Sequence, residues 1–323
     1  MTDPTDPADT AAGNGPHAAW GPIALYCLLA YGLAWIVCVP LWLNGGLTHP
    51  LFLPLSVVMM LTPTIASLLV VRVVERRPVL TALGLRVPRG RVGRTLATAA
   101  LVMVLVFVVI VLGLCVSAGA GVFALDLVGM GAFREVLESQ LAAAGTDPGS
   151  LGMPLRVLWL AQFVNLLAAA LLNTLPALGE EIGWRGYLFP RLTALIGARW
   201  AVVATGVIWG LWHAPLILLG YNYPSHPVLG LGLMCVFCTT TGALLSWARQ
   251  RTGNVWACAV GHGAINALAN GTIVLFGAAG QEVDTVTATI MGLSGWPVGA
   301  VVLACVFASP AFRRRRSAAH AGQ

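Results

Sequence analysis

A chain of 323 residues in which 58% are hydrophobic and only 9% charged lies far from soluble domains, where about a quarter are charged. This composition excludes an ordinary soluble fold and points to a polytopic membrane protein. The formal net charge of +6 is carried by arginine without any lysine. These arginines gather between apolar stretches, where they orient a chain in the bilayer, so no nucleic-acid partner is expected.

In chain order, residues 1–19 are rich in Pro, Asp, Thr and Gly and predict a disordered N-terminal tail. They offer no basic n-region and no small-residue cleavage site, so the first apolar run is expected to remain as an uncleaved anchor. Runs near the ~20 residues that cross a hydrocarbon core follow at 21–43, 52–73, 95–118, 157–180, 200–220, 228–248, 254–277 and 288–308. The expected fold is therefore all-α, a polytopic membrane helical bundle of about eight transmembrane helices. It forms a single transmembrane domain over 20–309, with a basic tail at 310–323. The fourth run has no clean end: apolar character continues through Tyr187, Leu188 and Phe189 to Pro190, which predicts a helix reaching at least Arg185. The 119–156 connection is long enough for an amphipathic surface helix.

Loop charge sets the expected orientation. Arg72, Arg76, Arg77, Arg86, Arg89, Arg91 and Arg94 follow the second run, and Arg185, Arg191 and Arg199 close the fourth. Arg249 and Arg251 follow the sixth, and Arg313 to Arg316 the last, while the intervening loops carry Asp126, Glu135, Glu138, Asp147, Glu282 and Asp284. Both termini on the cytoplasmic side satisfy this pattern. The expected location is a multi-pass cell membrane site, the inner or plasma membrane of a bacterium, given the arginine-only, Ala-, Gly- and Val-rich composition. All seven cysteines fall in apolar runs and read as small packing residues, Cys235 and Cys238 included.

Glu180 and Glu181 are adjacent acids in the fourth run, and polar residues recur at His213 in the fifth and at His262, Asn266 and Asn270 in the seventh. An ionisable group at bilayer depth costs roughly 2.5–3.5 kcal/mol on insertion scales, so several on separate helices predict a built site facing a cavity. Helical neighbours point about 100° apart, which gives the two glutamates different tasks. Glu181 and Arg185 are spaced i,i+4 in the favoured order and predict an ion pair. Glu180 faces elsewhere, with Asn173 two turns earlier on nearly the same side. His262, Asn266 and Asn270 recur every four residues along one helix face. Together these groups make a hydrolytic set: a carboxylate able to take a proton from water, imidazoles able to hold or relay it, and His and Asn donors for an oxyanion. No serine or cysteine here has an evident base partner, which leaves water as the nucleophile.

Three stretches, EEIGWRGYLFPRL, GVIWGLWHAPL around His213 and AVGHGAINAL with His262 and Asn266, resemble in order the motifs of the CPBP family of CAAX-prenyl endopeptidases and bacteriocin-processing intramembrane proteases. The resemblance covers about 155–275, with LGLRVPRGR at 83–91 similar to the family's upstream basic loop. Where the family commonly has Phe, four residues before the second-motif His, this chain has Trp209, a change expected to alter pocket shape alone. The resemblance implies an intramembrane endopeptidase acting on a peptide or protein substrate within the lipid bilayer. It implies Glu180 as the base for the attacking water, assisted by His213, with His262 and Asn266 stabilising the oxyanion and Glu181 and Arg185 in support. It also raises zinc as a cofactor, with Glu180, His213 and His262 as candidate ligands. No His-Glu-x-x-His helix pre-positions such a set, so water activation without an obligatory metal is expected. Substrate is expected to arrive from the cytoplasm or laterally from lipid, and to be cut near the cytoplasmic side. The alternatives are a non-catalytic immunity or scaffold membrane protein on the same fold, and a transporter using Glu180 as a proton relay. Gly206 and Gly210 read as close helix packing, Trp184, Trp209 and Trp212 as packing or cavity lining, and His226 as a turn residue.

Overall fold

The computed structural model describes residues 16–147 and 152–313. The expected tails at 1–19 and 310–323 lie mostly outside these residues. α1 (Pro16–Leu43) turns at Gly45 into α2 (Phe52–Met60) and α3 (Thr62–Leu69), which a π-helical stretch (Val70–Val74) extends. α4 (Val92–Gly119) follows the arginine-rich loop, and α5 (Gly131–Ala143) occupies the 119–156 connection. α6 (Leu155–Leu172), α7 (Thr174–Glu181), a second π-helical stretch (Ile182–Leu188) and α8 (Phe189–Ile196) run together. α9 (Ala198–Trp212), α10 (Pro227–Thr252), α11 (Trp256–Phe276) and α12 (Trp296–Ala308) complete the bundle. The bundle is all-helical: among the described residues the sole β pairing outside a strand is an isolated bridge between Leu125 and Gly277.

Six of the eight expected runs form helices long and apolar enough to cross a membrane. The fifth is divided, because Pro215 has no N–H to give the Leu211 carbonyl; α9 stops at Trp212 and a one-turn helix, Ala214–Ile217, follows. The eighth is shorter than expected, since the stretch before a 3-10 turn at Leu293–Gly295 is irregular and leaves the apolar helix to Leu293–Ala308. The fourth is longer: 42 residues from Leu155 to Ile196, passing Arg185 through the π-helical stretch. Such stretches, with i→i+5 bonding, are frequent at functional sites.

Apolar side chains cover the outside of the bundle. Leu28 and Ile36 on α1, Leu96 on α4, Val164 and Leu172 on α6 and Val301 on α12 are all exposed, as expected for surfaces covered by lipid. Inside, α11 is the central helix. Gly261 faces Val102 of α4 and Leu245 of α10, and a Cβ at Gly263 would lie 2.6 Å from the Ala170 carbonyl of α6. α9 and α10 approach at Gly206, against Thr239, and at Gly210, where a Cβ would lie 2.5 Å from Cys235 Cα. Close backbone approach through small residues is how helices pack without a hydrophobic drive between them. It draws α7, α9 and α11 together.

Candidate active site

Glu180 ends its side chain in a nest of indoles. Its Oε2 accepts hydrogen bonds from Trp209 Nε1 at 2.7 Å and from Trp184 Nε1 at 3.2 Å. Trp184 lies one helical turn away on the same chain segment, while Trp209 comes from α9. With Oε2 committed, Oε1 is the oxygen that faces His262, 3.9 Å from its Nε2. That separation is too long for a direct hydrogen bond and leaves room for a bridging atom.

Glu181 points the other way, as neighbouring helical residues must. Its Oε1 accepts from Arg185 Nη1 at 2.7 Å and from His262 Nδ1 at 2.9 Å, all three residues buried. The first contact is the i,i+4 pair expected from the spacing. The second joins residues 81 apart in sequence, and no local pattern signals it. Because a carboxylate can only accept, the proton of His262 sits on Nδ1 and its Nε2 is turned toward Glu180. The Arg185 guanidinium lies 4.5 Å from the Trp209 ring centre, and Gly242 of α10 makes room for it: a Cβ there would come within 2.7 Å of Nη2.

His213 stands at the break after α9. Its Nδ1 is 2.9 Å from the Trp209 carbonyl; a carbonyl cannot donate, so Nδ1 carries the proton and Nε2 is a free acceptor. Glu180, His213, His262 and Asn266 all line one cavity of about 280 Å³, together with Asn173, Trp209, Trp212 and Asn270. Glu181 and Arg185 do not line it; they lie behind His262. Asn266 and Asn270 are exposed, whereas Glu180 is 2% and His262 3% exposed.

Trp209 corrects one expectation. Its replacement of a family Phe does more than change pocket shape, since the indole N–H binds Glu180 directly. Trp184, expected as packing, does the same more weakly. Trp212 donates to Thr62 Oγ1 at 3.2 Å and so ties α9 to α3.

The candidate zinc set does not close around an ion. Ligand bonds of about 2.0–2.2 Å put tetrahedral donor atoms about 3.3–3.6 Å apart, whereas His262 Nε2 and Glu180 Oε1 are 3.9 Å apart. Glu180 Oε2 already serves two indoles, and among the described residues no three His, Cys, Asp or Glu side chains form a metal-binding group. The arrangement of these side chains does not fit zinc.

Comparison with known proteins bears on this same stretch. Residues 160–268 match the family model for the type II CAAX prenyl endopeptidase, Rce1-like. The chain is also 43% identical over 61 residues to the CAAX prenyl protease 2 of Methanococcus maripaludis, which is 19% of this chain and 20% of that protein. Over residues 160–268 the chain is thus similar to a family of CAAX prenyl endopeptidases. The match spans about a fifth of the length of that curated relative. The matched segment contains Glu180, Glu181, Arg185, Trp209, His213, His262 and Asn266, while Asn270 lies just past it.

Proposed function

We propose that this protein is an intramembrane endopeptidase of the CPBP family that hydrolyses a peptide bond with water activated by Glu180. What supports this most is the convergence of one carboxylate, two imidazoles and a carboxamide from three separate elements on one cavity of about 280 Å³. Glu180 Oε1, left free by the two indoles on Oε2, takes a proton from water. His213 Nε2 accepts the water's other hydrogen and orients it. The resulting hydroxide attacks the scissile carbonyl carbon, and negative charge builds on the carbonyl oxygen. Asn266 Nδ2 donates to that oxygen, as does His262 Nε2 when it carries a proton. The C–N bond then breaks and the nitrogen leaves as an amine, taking the proton back from Glu180.

Glu181 and Arg185 act at one remove. Glu181 holds His262 by Nδ1, and Arg185 balances the Glu181 charge; such a partner fixes ring orientation and tautomer. The substrate is a peptide or protein within reach of the bilayer, and the protein sits in the cell membrane of a bacterium. Activity is tested with purified protein and a quenched peptide library, the products identified by mass spectrometry. Wild type is expected to produce paired fragments with a new carboxylate and a new amine, and His213→Ala and His262→Ala are expected to reduce the rate sharply. Equal cleavage by wild type, Glu180→Gln, His213→Ala and His262→Ala would remove the proposal.

A further inference from the structure

The cavity is closed at the arginine-rich end of the bundle and open toward the other. Between Glu180 and the arginine loops lies a layer of buried side chains: Trp184, Arg185, Tyr187, Leu188 and Leu83. The 76–91 loop is strapped over this layer. Arg249 Nε donates to the Arg185 carbonyl at 2.9 Å, Val255 N to the Gly84 carbonyl at 3.1 Å and Trp256 Nε1 to the Leu85 carbonyl at 2.9 Å. Glu75 is clamped by Arg191 and Tyr187 at the same end.

In the opposite direction the cavity continues. From His262 it passes Asn266 and Asn270, eight residues or about 12 Å further along α11. It ends among residues of the arginine-poor loops, Tyr221, Asn222 and Met291, and at Ser56 near the start of the second span. Tyr221 is 37% exposed, as befits a mouth. Four asparagines line this path and no arginine does, and Glu180 is the sole carboxylate on it among the described residues.

We infer that substrate reaches Glu180 from the face opposite the arginine-rich loops, as an extended peptide segment free of acidic side chains near the cut. Under the positive-inside rule that face is extracytoplasmic, which departs from the cytoplasmic or lateral access expected from sequence. The natural substrates are then exported or outward-presented apolar segments, their backbone amides met by the asparagine carboxamides, since a buried peptide group needs partners. A substrate carboxylate finds no arginine in the cavity and meets the carboxylate of Glu180. This inference rests on the endopeptidase proposal for the word substrate, while the access route rests on the cavity lining and on loop charge.

The test uses the full chain in spheroplasts, with Ser225→Cys and Asn222→Cys on the arginine-poor loops and Arg86→Cys on the arginine loop. Labelling by a membrane-impermeant maleimide is read against the parent protein. Ser225→Cys and Asn222→Cys are expected to label in intact spheroplasts, and Arg86→Cys only after permeabilisation. In parallel, an impermeant fluorogenic apolar peptide is offered to spheroplasts and to inside-out vesicles, each with wild type or Glu180→Gln. Cleavage by wild type in spheroplasts alone supports the inference, and weaker cleavage of the same peptide with Asp beside the cut supports the charge preference. Labelling of Arg86→Cys from outside, or cleavage only in inside-out vesicles, overturns the access route while leaving the endopeptidase proposal intact. The expected labelling with no cleavage in either orientation supports the route and removes the endopeptidase proposal instead.

Discussion

A carboxylate with two N–H donors on one oxygen is held in a single rotamer, and Trp209 and Trp184 hold Glu180 in this way. Hydrogen bonds to a charged group contribute about 1.5–3 kcal/mol, and tenfold in rate corresponds to about 1.4 kcal/mol. Trp209→Phe, which keeps the ring and loses the donor, is therefore expected to lower kcat by about 10- to 100-fold with little change in KM. Trp184→Phe, with its longer 3.2 Å bond, is expected to cost less. Steady-state kinetics on one peptide check both, and an unchanged kcat for Trp209→Phe would leave the indole with a packing role alone. Behind His262, the buried Arg185–Glu181 pair gives a stability prediction. Arg185→Met strands a buried carboxylate at a cost of about 3–5 kcal/mol, seen as a lower Tm, and Arg185→Met with Glu181→Leu should recover part of it. At this scale the sequence is legible where contacts are local. Glu181 to Arg185 follows from helical spacing, whereas Glu181 to His262 and Glu180 to Trp209 join distant segments and leave no trace in it. Trp209 is also hidden by its hydropathy, since an indole reads as apolar while its N–H does not.

The elements that carry the site depend on close helix contact. Gly210 of α9 lies against Cys235 of α10, so Gly210→Val must push the two helices apart, at about 1–3 kcal/mol for overpacking. Gly232 in α10 meets nothing within 4 Å and provides the control. Thermal melts should show a lower Tm for Gly210→Val and little change for Gly232→Val. At the arginine-rich end, burial would raise the pKa of Glu75, but the hydrogen bonds and charge of Arg191 outweigh it and hold the carboxyl below its usual range. A carboxyl depressed in the folded state stabilises it above the unfolded pKa, near 4.3 for Glu, and that contribution fades as pH falls through the folded value. Glu75→Gln is expected to flatten the acid side of a Tm-against-pH curve and leave the neutral side nearly parallel to wild type. Hydropathy predicts the order of the helical runs, and six of the eight as membrane-length helices, because lipid demands long apolar stretches. It misses the break after His213, which Pro215 imposes within an apolar run, and the π-helical stretch after Glu181, which costs the pattern nothing.

At the scale of the whole molecule, α11 at the centre explains how polar residues from separate spans come to one cavity. The polar stripe of His262, Asn266 and Asn270 is legible as a stripe, but its neighbours are set by Gly261 and Gly263, whose missing side chains admit α4, α6 and α10. The direction in which the cavity opens is not legible, because it depends on which loop packs over which end. The central claim, that Glu180 is the base, is tested most directly by the turnover of Glu180→Gln beside wild type on one peptide, with both proteins matched in Tm. General-base catalysis contributes typically 10²–10⁴-fold, so kcat is predicted to fall by at least about 100-fold with KM little changed. A Glu180→Gln protein that turns over within about threefold of wild type would contradict it, since so small a change corresponds to less than about 1 kcal/mol of barrier.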